Sequence, residues 1–201
     1  MKNIKTLYGL PEKVMFCKTC TLSNQRPHSV SEFKHTKNRK GAFYLNIDKD
    51  GICDACKMSK LKGKTINWKL RERELHELCD KYRKRNGEYD CLVPGSGGKD
   101  SRYQSHILKS KFGMNPLTVT WPPLMYTDYG YKNFRSWIDS GVDNVSFYPN
   151  GEVSRKLANL SIKNLLHPFQ TFILGQYNYP PKIALKYDIK LIFYGATHSD
   201  Y

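Results

Sequence analysis

Tyr89-Asp90-Cys91-Leu92-Val93-Pro94-Gly95-Ser96-Gly97-Gly98-Lys99-Asp100-Ser101 is the stretch whose reading decides the fold. Tyr89, Cys91, Leu92 and Val93 have the composition of a short buried strand, which Pro94-Gly95 stops. Ser96-Gly97-Gly98 then lacks a Cβ at two successive positions, so the backbone can bend sharply and bring N–H groups close to an anion. From Lys99 the pattern turns helical, with Tyr103, His106, Ile107 and Leu108 spaced for one buried face. Strand, glycine turn and helix start in this order make a phosphate seat, because unpaired N–H groups and the positive end of the helix dipole converge there.

The motif is not the Walker loop, in which Ser or Thr follows Gly-Lys; here Asp100 follows. Ser-Gly-Gly-x-Asp-Ser resembles the PP-loop of the ATP pyrophosphatase superfamily, whose members cleave ATP between the α and β phosphates and adenylylate a substrate oxygen. That resemblance implies ATP and pyrophosphate binding by Ser96, Gly97, Gly98, Lys99, Asp100 and Ser101. Lys99 and Asp100 would be the catalytic pair, with Asp100 also helping to hold Mg²⁺.

Working outward toward the C-terminus, strand and helix patterns alternate. A helix from Lys99 to about Lys111 is followed by a strand at Leu117, Val119 and Trp121, stopped by Pro122-Pro123. A helix over Tyr131–Asp139, a strand over Asn144–Tyr148 and a helix over Val153–Leu166 come next. A shorter helix over Pro181–Tyr187 leads to a fourth strand, Leu191 to Tyr194, ending at Gly195. Alternation of this kind predicts an α/β fold, a parallel sheet with helices on both faces. Ligands of such sheets sit beyond the carboxyl ends of the strands, which gathers the loops starting at Gly95, Trp121, Pro149 and Gly195 around one cleft. The chain stops at Tyr201, six residues past the last predicted strand, so the sheet is expected to be unfinished here and the chain to be the front portion of a longer protein.

Toward the N-terminus stand Cys17-x-x-Cys20 and Cys53-x-x-Cys56. Each pair can wrap as a knuckle pointing two thiolates at one ion, and two knuckles supply the tetrahedral sulfur set that Zn²⁺ prefers. Four thiolates leave no open coordination position, so the zinc is read as structural. The 32-residue spacer, Thr21 to Ile52, is basic and polar, with Lys34, His35, Lys37, Arg39 and Lys40. Within it, Ala42 to Ile47 and Asp50-Gly51 suggest a strand and turn. Leu61 to Thr65 reads as a linker, and Asn67 as the cap of a helix with Trp68, Leu75, Leu78, Cys79 and Tyr82 on one face, ended by Asn86-Gly87. The division expected is a zinc module with a basic insertion over 1–64, a connecting helix over 65–88 and a nucleotide-binding domain over 89–201.

Formal charge is +15, from 33 Lys and Arg against 18 Asp and Glu, and residues 1–88 carry +11 of it. Such a balance favours anionic partners, nucleic acid or a phosphorylated small molecule. No apolar run is long enough to cross a membrane, and Met1 to Leu10 lack the pattern of a secretory signal. Six Cys without such a signal read as metal ligands and reduced thiols, and the expected location is the cytoplasm.

The whole chain resembles the N-acetyl sugar amidotransferases of bacterial surface-polysaccharide and nonulosonic-acid pathways. The match runs through the Cys pairs with Arg26-Pro27, Ile66-Asn67-Trp68, the phosphate motif, and Thr120-Trp121-Pro122-Pro123 with Met125-Tyr126-Thr127-Asp128. It continues through Pro149-Asn150-Gly151, Pro168-Phe169-Gln170, Gly175-Gln176, Pro180-Pro181-Lys182 and Phe193-Tyr194-Gly195. Two departures are a longer spacer between the Cys pairs and Ala196-Thr197-His198-Ser199-Asp200 where the family tends to be Glu-rich; Asp200 is a candidate replacement Mg²⁺ ligand. The resemblance implies conversion of a sugar acetamido group to acetamidino through an adenylylated intermediate. Ammonia would come from partner glutaminase and barrel subunits, and the sugar could be nucleotide-linked. Trp121, Tyr126, Asp128, Gln176 and Lys182 are the candidate substrate contacts; no nucleic-acid partner is expected. A tRNA-thiolating enzyme of the same superfamily would commonly need further Cys residues after the motif, and none follows Cys91 in this sequence. The non-enzymatic alternative is a zinc-ribbon binding module on a degenerate nucleotide domain.

Overall fold

A computed structural model describes residues 10–26 and 44–195. The chain divides into two compact units between Glu72 and Arg73. Most of the spacer and Asp200 lie outside the described residues.

In the first unit, the first Cys pair sits in a tight backbone turn, and a second turn leads into the second pair, which stands at a helix start. Cys17 N donates to the Leu22 carbonyl at 2.8 Å and Thr21 N to Cys17 O at 3.0 Å, with Thr21 taking a left-handed φ of 61°. The second turn closes through Gly51 N to Asp48 O, and Asp48 Oδ1 accepts from the Asp50 and Ile52 amides. Gly51 has φ +81°, and its α-carbon lies so near the Lys18 stem that a Cβ would fall 2.8 Å from it. Helix α1, Asp54–Thr65, grows directly out of the second knuckle. The sequence assigned its last five residues, Leu61 to Thr65, to a linker; the helix absorbs them because it starts well. Cys53 Sγ caps it by accepting from Cys56 N, Asp54 stands in its first turn, and Lys62 and Lys64 stand in its last, where each charge opposes the helix dipole.

Helix α2, Trp68–Tyr82, starts as expected, with Asn67 Oδ1 accepting from Leu70 N at 3.0 Å. Its expected apolar face is only partly used: Cys79 is buried, whereas Leu78 and Trp68 stay exposed.

The second unit is built on three parallel strands, β1 (Cys91–Pro94), β2 (Pro116–Thr120) and β3 (Asp143–Ser146), in spatial order β1-β2-β3. Val93 lies opposite Thr118, and Val119 opposite Val145. The fourth expected strand is shortened to one bridge, Leu92 with Ile192, flanked by Leu92 N to Leu191 O and Phe193 N to Leu92 O, both at 2.9 Å. Residues 191–193 therefore lie on the far side of β1, and the chain reverses its direction of travel across the sheet there. β1 becomes the interior strand beside the switch point, where open α/β sheets bind ligands.

Alternation along β1 splits the core as a two-faced sheet requires. Cys91 and Val93 pack with Cys79, Leu108, Phe112 and Met114, from α2 and α3 (Lys99–Ser110) and the turn after α3. Leu92 packs on the opposite face with Leu117, Val119, Ile183, Ala184 and Ile189. Helix α4, Asp128–Ile138, starts three residues before the predicted Tyr131, because Thr127 Oγ1 caps it by accepting from Gly130 N. Helices α5 (Gly151–Leu165) and α6 (Gln170–Lys186) follow β3. α6 runs through Pro180-Pro181, which the sequence placed at a helix start. Two missing N–H donors inside a helix are unfavourable, but burial of Pro180, Ile183 and Ala184 holds the helix together.

Candidate functional site

β1 ends at Pro94, and the bend that follows is pinned at both polar atoms of Gly95: its N–H donates to Val119 O at 2.9 Å and its carbonyl accepts from Thr120 Oγ1 at 2.8 Å. The glycines of the bend have different reasons to be there. A Cβ on Gly95 would fall 2.3 Å from Ser101 Cβ and 2.8 Å from the Trp137 ring. Gly97 has φ +84°, and a Cβ there would sit 2.6 Å from the Phe134 α-carbon, so α4 closes on the bend only because that side chain is missing. Gly98 has φ −66° and ψ 167°, and its nearest neighbour to a Cβ would be Ser96 Oγ at 3.8 Å. Among the described residues, neither strain nor packing demands glycine at 98.

Gly98 caps α3 without any side-chain bond, so the first-turn amides of Lys99, Asp100 and Ser101 present the positive end of the helix with no capping acceptor among the described residues. Ser96, Lys99 and Asp100 are exposed, and Lys99 Nζ lies 2.7 Å from Asp100 Oδ1. Ser101 is buried, its hydroxyl donating to Gly98 O at 3.2 Å. The six predicted phosphate-site residues thus occupy one continuous bend and helix start. The end of the last bridge closes on the same place: Gln104 Nε2 donates to Tyr194 O at 2.9 Å, and a Cβ on Gly195 would lie 3.5 Å from Asp100 Cβ. Gln104 Oε1 is buried without a hydrogen-bond partner among the described residues. An open backbone amide cluster with a cation and a carboxylate beside it is an arrangement that suits a polyphosphate.

The candidate substrate residues are dispersed. Trp121 leaves β2 and stacks with Phe147 at 5.2 Å and tilts against Tyr179 at 5.8 Å. Its indole lies over Gly175 of α6, where a Cβ would come within 2.0 Å of the ring. Trp121 also lines a cavity of about 350 Å³, with Phe147, Tyr148, Val153, Leu157 and Phe172 among its walls. Tyr126 turns away from solvent, stacked on Phe134 at 5.9 Å, and burial pushes its phenol up to about 12. Asp128 is exposed in the first turn of α4, and Gln176 and Lys182 are exposed on α6. Sequence reasoning missed Phe147, Tyr179 and Gly175 as partners of Trp121 and Gln104 as a clamp on Tyr194; none of these carries a local pattern that marks it.

The four knuckle sulfurs lie within 4.8 Å of one another. Cys17 Sγ is 4.0 Å from Cys56 Sγ, and Cys20 Sγ 3.6 Å from Cys53 Sγ. A tetrahedral ion with Zn–S bonds of about 2.3 Å sets its sulfurs about 3.8 Å apart, so the spacing fits zinc. Backbone amides are aimed at the sulfurs: Cys53 N and Thr19 N donate to Cys17 Sγ at 3.3 and 3.4 Å. The amide of Cys53, with further backbone N–H groups, lowers the Cys17 thiol to about 6, while its contact with Cys20 pushes Cys56 up to about 12 and burial raises Cys53. Four thiols so close cannot all ionise unless a cation shares the charge, and these four could hold a zinc ion.

No family model matches the chain. It is 35% identical over 85 residues to an uncharacterized protein of Methanocaldococcus jannaschii, a stretch that is 42% of this chain and 29% of that protein. The chain thus spans less than a third of that relative. Among solved structures it is similar to the NH3-dependent NAD synthetase of Campylobacter jejuni in complex with a nitrate ion, with a TM-score of 0.49 and 11% identity over 67% of this chain and 59% of that one. No described helix is long and apolar enough to cross a membrane.

Proposed function

We propose that this chain is the ATP-binding part of a cytoplasmic enzyme that activates an amide oxygen with ATP, releasing pyrophosphate and then AMP. The observation that carries the reading is Gly98: a residue that neither strain nor packing among the described residues requires to be glycine, at the uncapped start of α3 beside exposed Lys99 and Asp100. Absence of a side chain there has a purpose when a phosphate must reach the backbone amides.

On this reading the acetamido oxygen of an N-acetylated, in some cases nucleotide-linked, sugar attacks the α-phosphorus of ATP. The bond to the β-phosphate breaks and pyrophosphate leaves into the bend. Ammonia from a partner glutaminase, delivered through a barrel subunit, then adds to the activated carbon and AMP departs, leaving an acetamidino group. An amide oxygen is a poor leaving group until it is adenylylated, which is why the reaction needs ATP. The amides after Gly98 and the Lys99 ammonium take up the charge that builds on the departing pyrophosphate, and Asp100 would share its Mg²⁺, which supplies further charge neutralisation when bound. The four-sulfur zinc site supports the fold of the first unit and takes no part in the chemistry. The likeness of the sequence motifs to the N-acetyl sugar amidotransferases supports the choice of acceptor, and the cavity lined by Trp121 is the described space in which the sugar would sit.

The test is incubation of the full-length protein with Mg-ATP, ammonium and candidate N-acetyl sugars. AMP formation with a loss of about one mass unit from the sugar, as oxygen is replaced by NH, is expected from that exchange of groups. Release of ADP, or modification of RNA alone, would reject the proposal.

A further inference from the structure

Behind the bend runs a row of polar side chains on a strand that apolar residues could fill. Leu117 and Val119 of β2 point to one core, while Thr118 and Thr120, both fully buried, point to the other face. Thr120 Oγ1 donates to Gly95 O at 2.8 Å and accepts from Asn144 Nδ2 of β3 at 3.0 Å. The same amide nitrogen donates to Thr118 Oγ1 at 2.9 Å, and Thr118 donates to Asp143 O at 2.6 Å. Asn144 Oδ1 accepts from the Ser146 hydroxyl at 2.6 Å.

The directions in this row are forced. An amide NH₂ only donates, a carbonyl oxygen only accepts, and each hydroxyl owns one proton. With Asn144 giving a proton to each threonine oxygen, the two threonine protons must go outward, one to Asp143 and one to Gly95. The Gly95–Ser96 peptide is trans, so its N–H points opposite to its C=O. Holding the Gly95 carbonyl toward Thr120 therefore turns the Ser96 N–H away from β2. Valine at 120 would keep the shape of threonine and ask for no partner, so packing does not explain the hydroxyl.

We propose that Asn144, acting through Thr120, is a positioning residue that sets the polarity of this relay and so aims the Ser96 N–H as the first anion donor of the bend. The proposal rests on the phosphate reading of that bend. Asn144→Asp is nearly isosteric, but a carboxylate cannot donate; the Thr120 proton turns to the new acceptor and the Gly95 carbonyl is released. Thr120→Val removes the donor outright, and Thr120→Ser keeps it.

The experiment measures binding of inorganic pyrophosphate with Mg²⁺ by calorimetry in the wild type and these three variants, alongside their crystal structures. Asn144→Asp and Thr120→Val should bind pyrophosphate about tenfold or more weakly, the scale of one lost hydrogen bond to a charged group. In both, the Gly95–Ser96 peptide should be turned with α3 and α4 in place, while Thr120→Ser stays near wild type. Wild-type affinity in Asn144→Asp or Thr120→Val, or a loss in Thr120→Ser equal to that in Thr120→Val, would overturn the relay. If the wild type itself takes up no pyrophosphate, the phosphate reading fails instead. The peptide orientation in the two disrupted variants then decides the relay alone: unturned, it is overturned; turned, it stands as a device that shapes the bend.

Discussion

Gly97 and Gly98 are neighbours with opposite physics, and substitution separates them. At 97 an alanine would carry a left-handed backbone and press its Cβ to 2.6 Å from the Phe134 α-carbon, which cannot swing aside as a side chain would. Gly97→Ala should destabilise the second unit by about 2–4 kcal/mol, read from urea unfolding. At 98 the φ of −66° is ordinary and the space is open among the described residues. Gly98→Ala should change stability by no more than about 1 kcal/mol, yet it should abolish measurable ATP binding by placing a methyl group where a phosphate would approach. Unchanged ATP affinity in Gly98→Ala would remove the main support for the enzymatic reading. Lys99→Ala is expected to lower kcat for AMP formation by about 100-fold or more with a smaller change in KM, as for a group that acts on charge developed in the transition state. The sequence made these six positions legible as a set, but it treated the two glycines of the bend alike. Only the proximity of α4 tells a glycine kept for packing from one kept for a ligand.

Among elements, the knuckle and α1 form one unit of cause and effect. Cys53 contributes its sulfur to the four-sulfur cluster and also caps α1 through Cys56 N. α1 buries none of its own residues, so its stability must come from its start and from whatever fixes that start. Removing zinc with a chelator, or replacing Cys17 with Ser, should therefore lower helical circular dichroism as well as zinc content, from about one equivalent per chain to near zero. A chelator that strips metal without any loss of helix would contradict this coupling. Zinc affinity should also rise with pH. Backbone N–H groups lower Cys17 to about 6, but Cys56, raised to about 12, must lose its proton to solvent as the ion takes its sulfur. Acidification from pH 8 to 6 should weaken zinc binding in a competition titration, with proton release on binding at the higher pH. The Cys spacing announced this site plainly, because metal ligation is a local requirement. The helix that follows was not legible, since its signal is a sulfur cap and not the oxygen cap that sequence rules look for.

For the molecule as a whole, β1 is the member whose failure reaches furthest. Its alternate residues feed two cores, and residues 191–193 pair with its outer edge through Leu92. Leu92→Ala should cost about 2–5 kcal/mol. Against a typical total of about 5–15 kcal/mol for a domain, that is enough to leave a visible unfolded fraction at 37 °C, measured by thermal melting of the sheet signal. Composition and period alone determined that this chain is α/β, that a glycine bend links its first sheet strand to a helix, and that four cysteines form a set, because strand, turn and ligand chemistry are written in residues close together along the chain. Tertiary structure decided where residues 191–193 go, how α6 persists through Pro180-Pro181, that Tyr126 is half-buried against α4 while Trp121 lines a cavity, and that Asn144 reaches the bend through Thr120. Each depends on burial or hydrogen bonding between residues far apart in sequence, where no local preference records the partner.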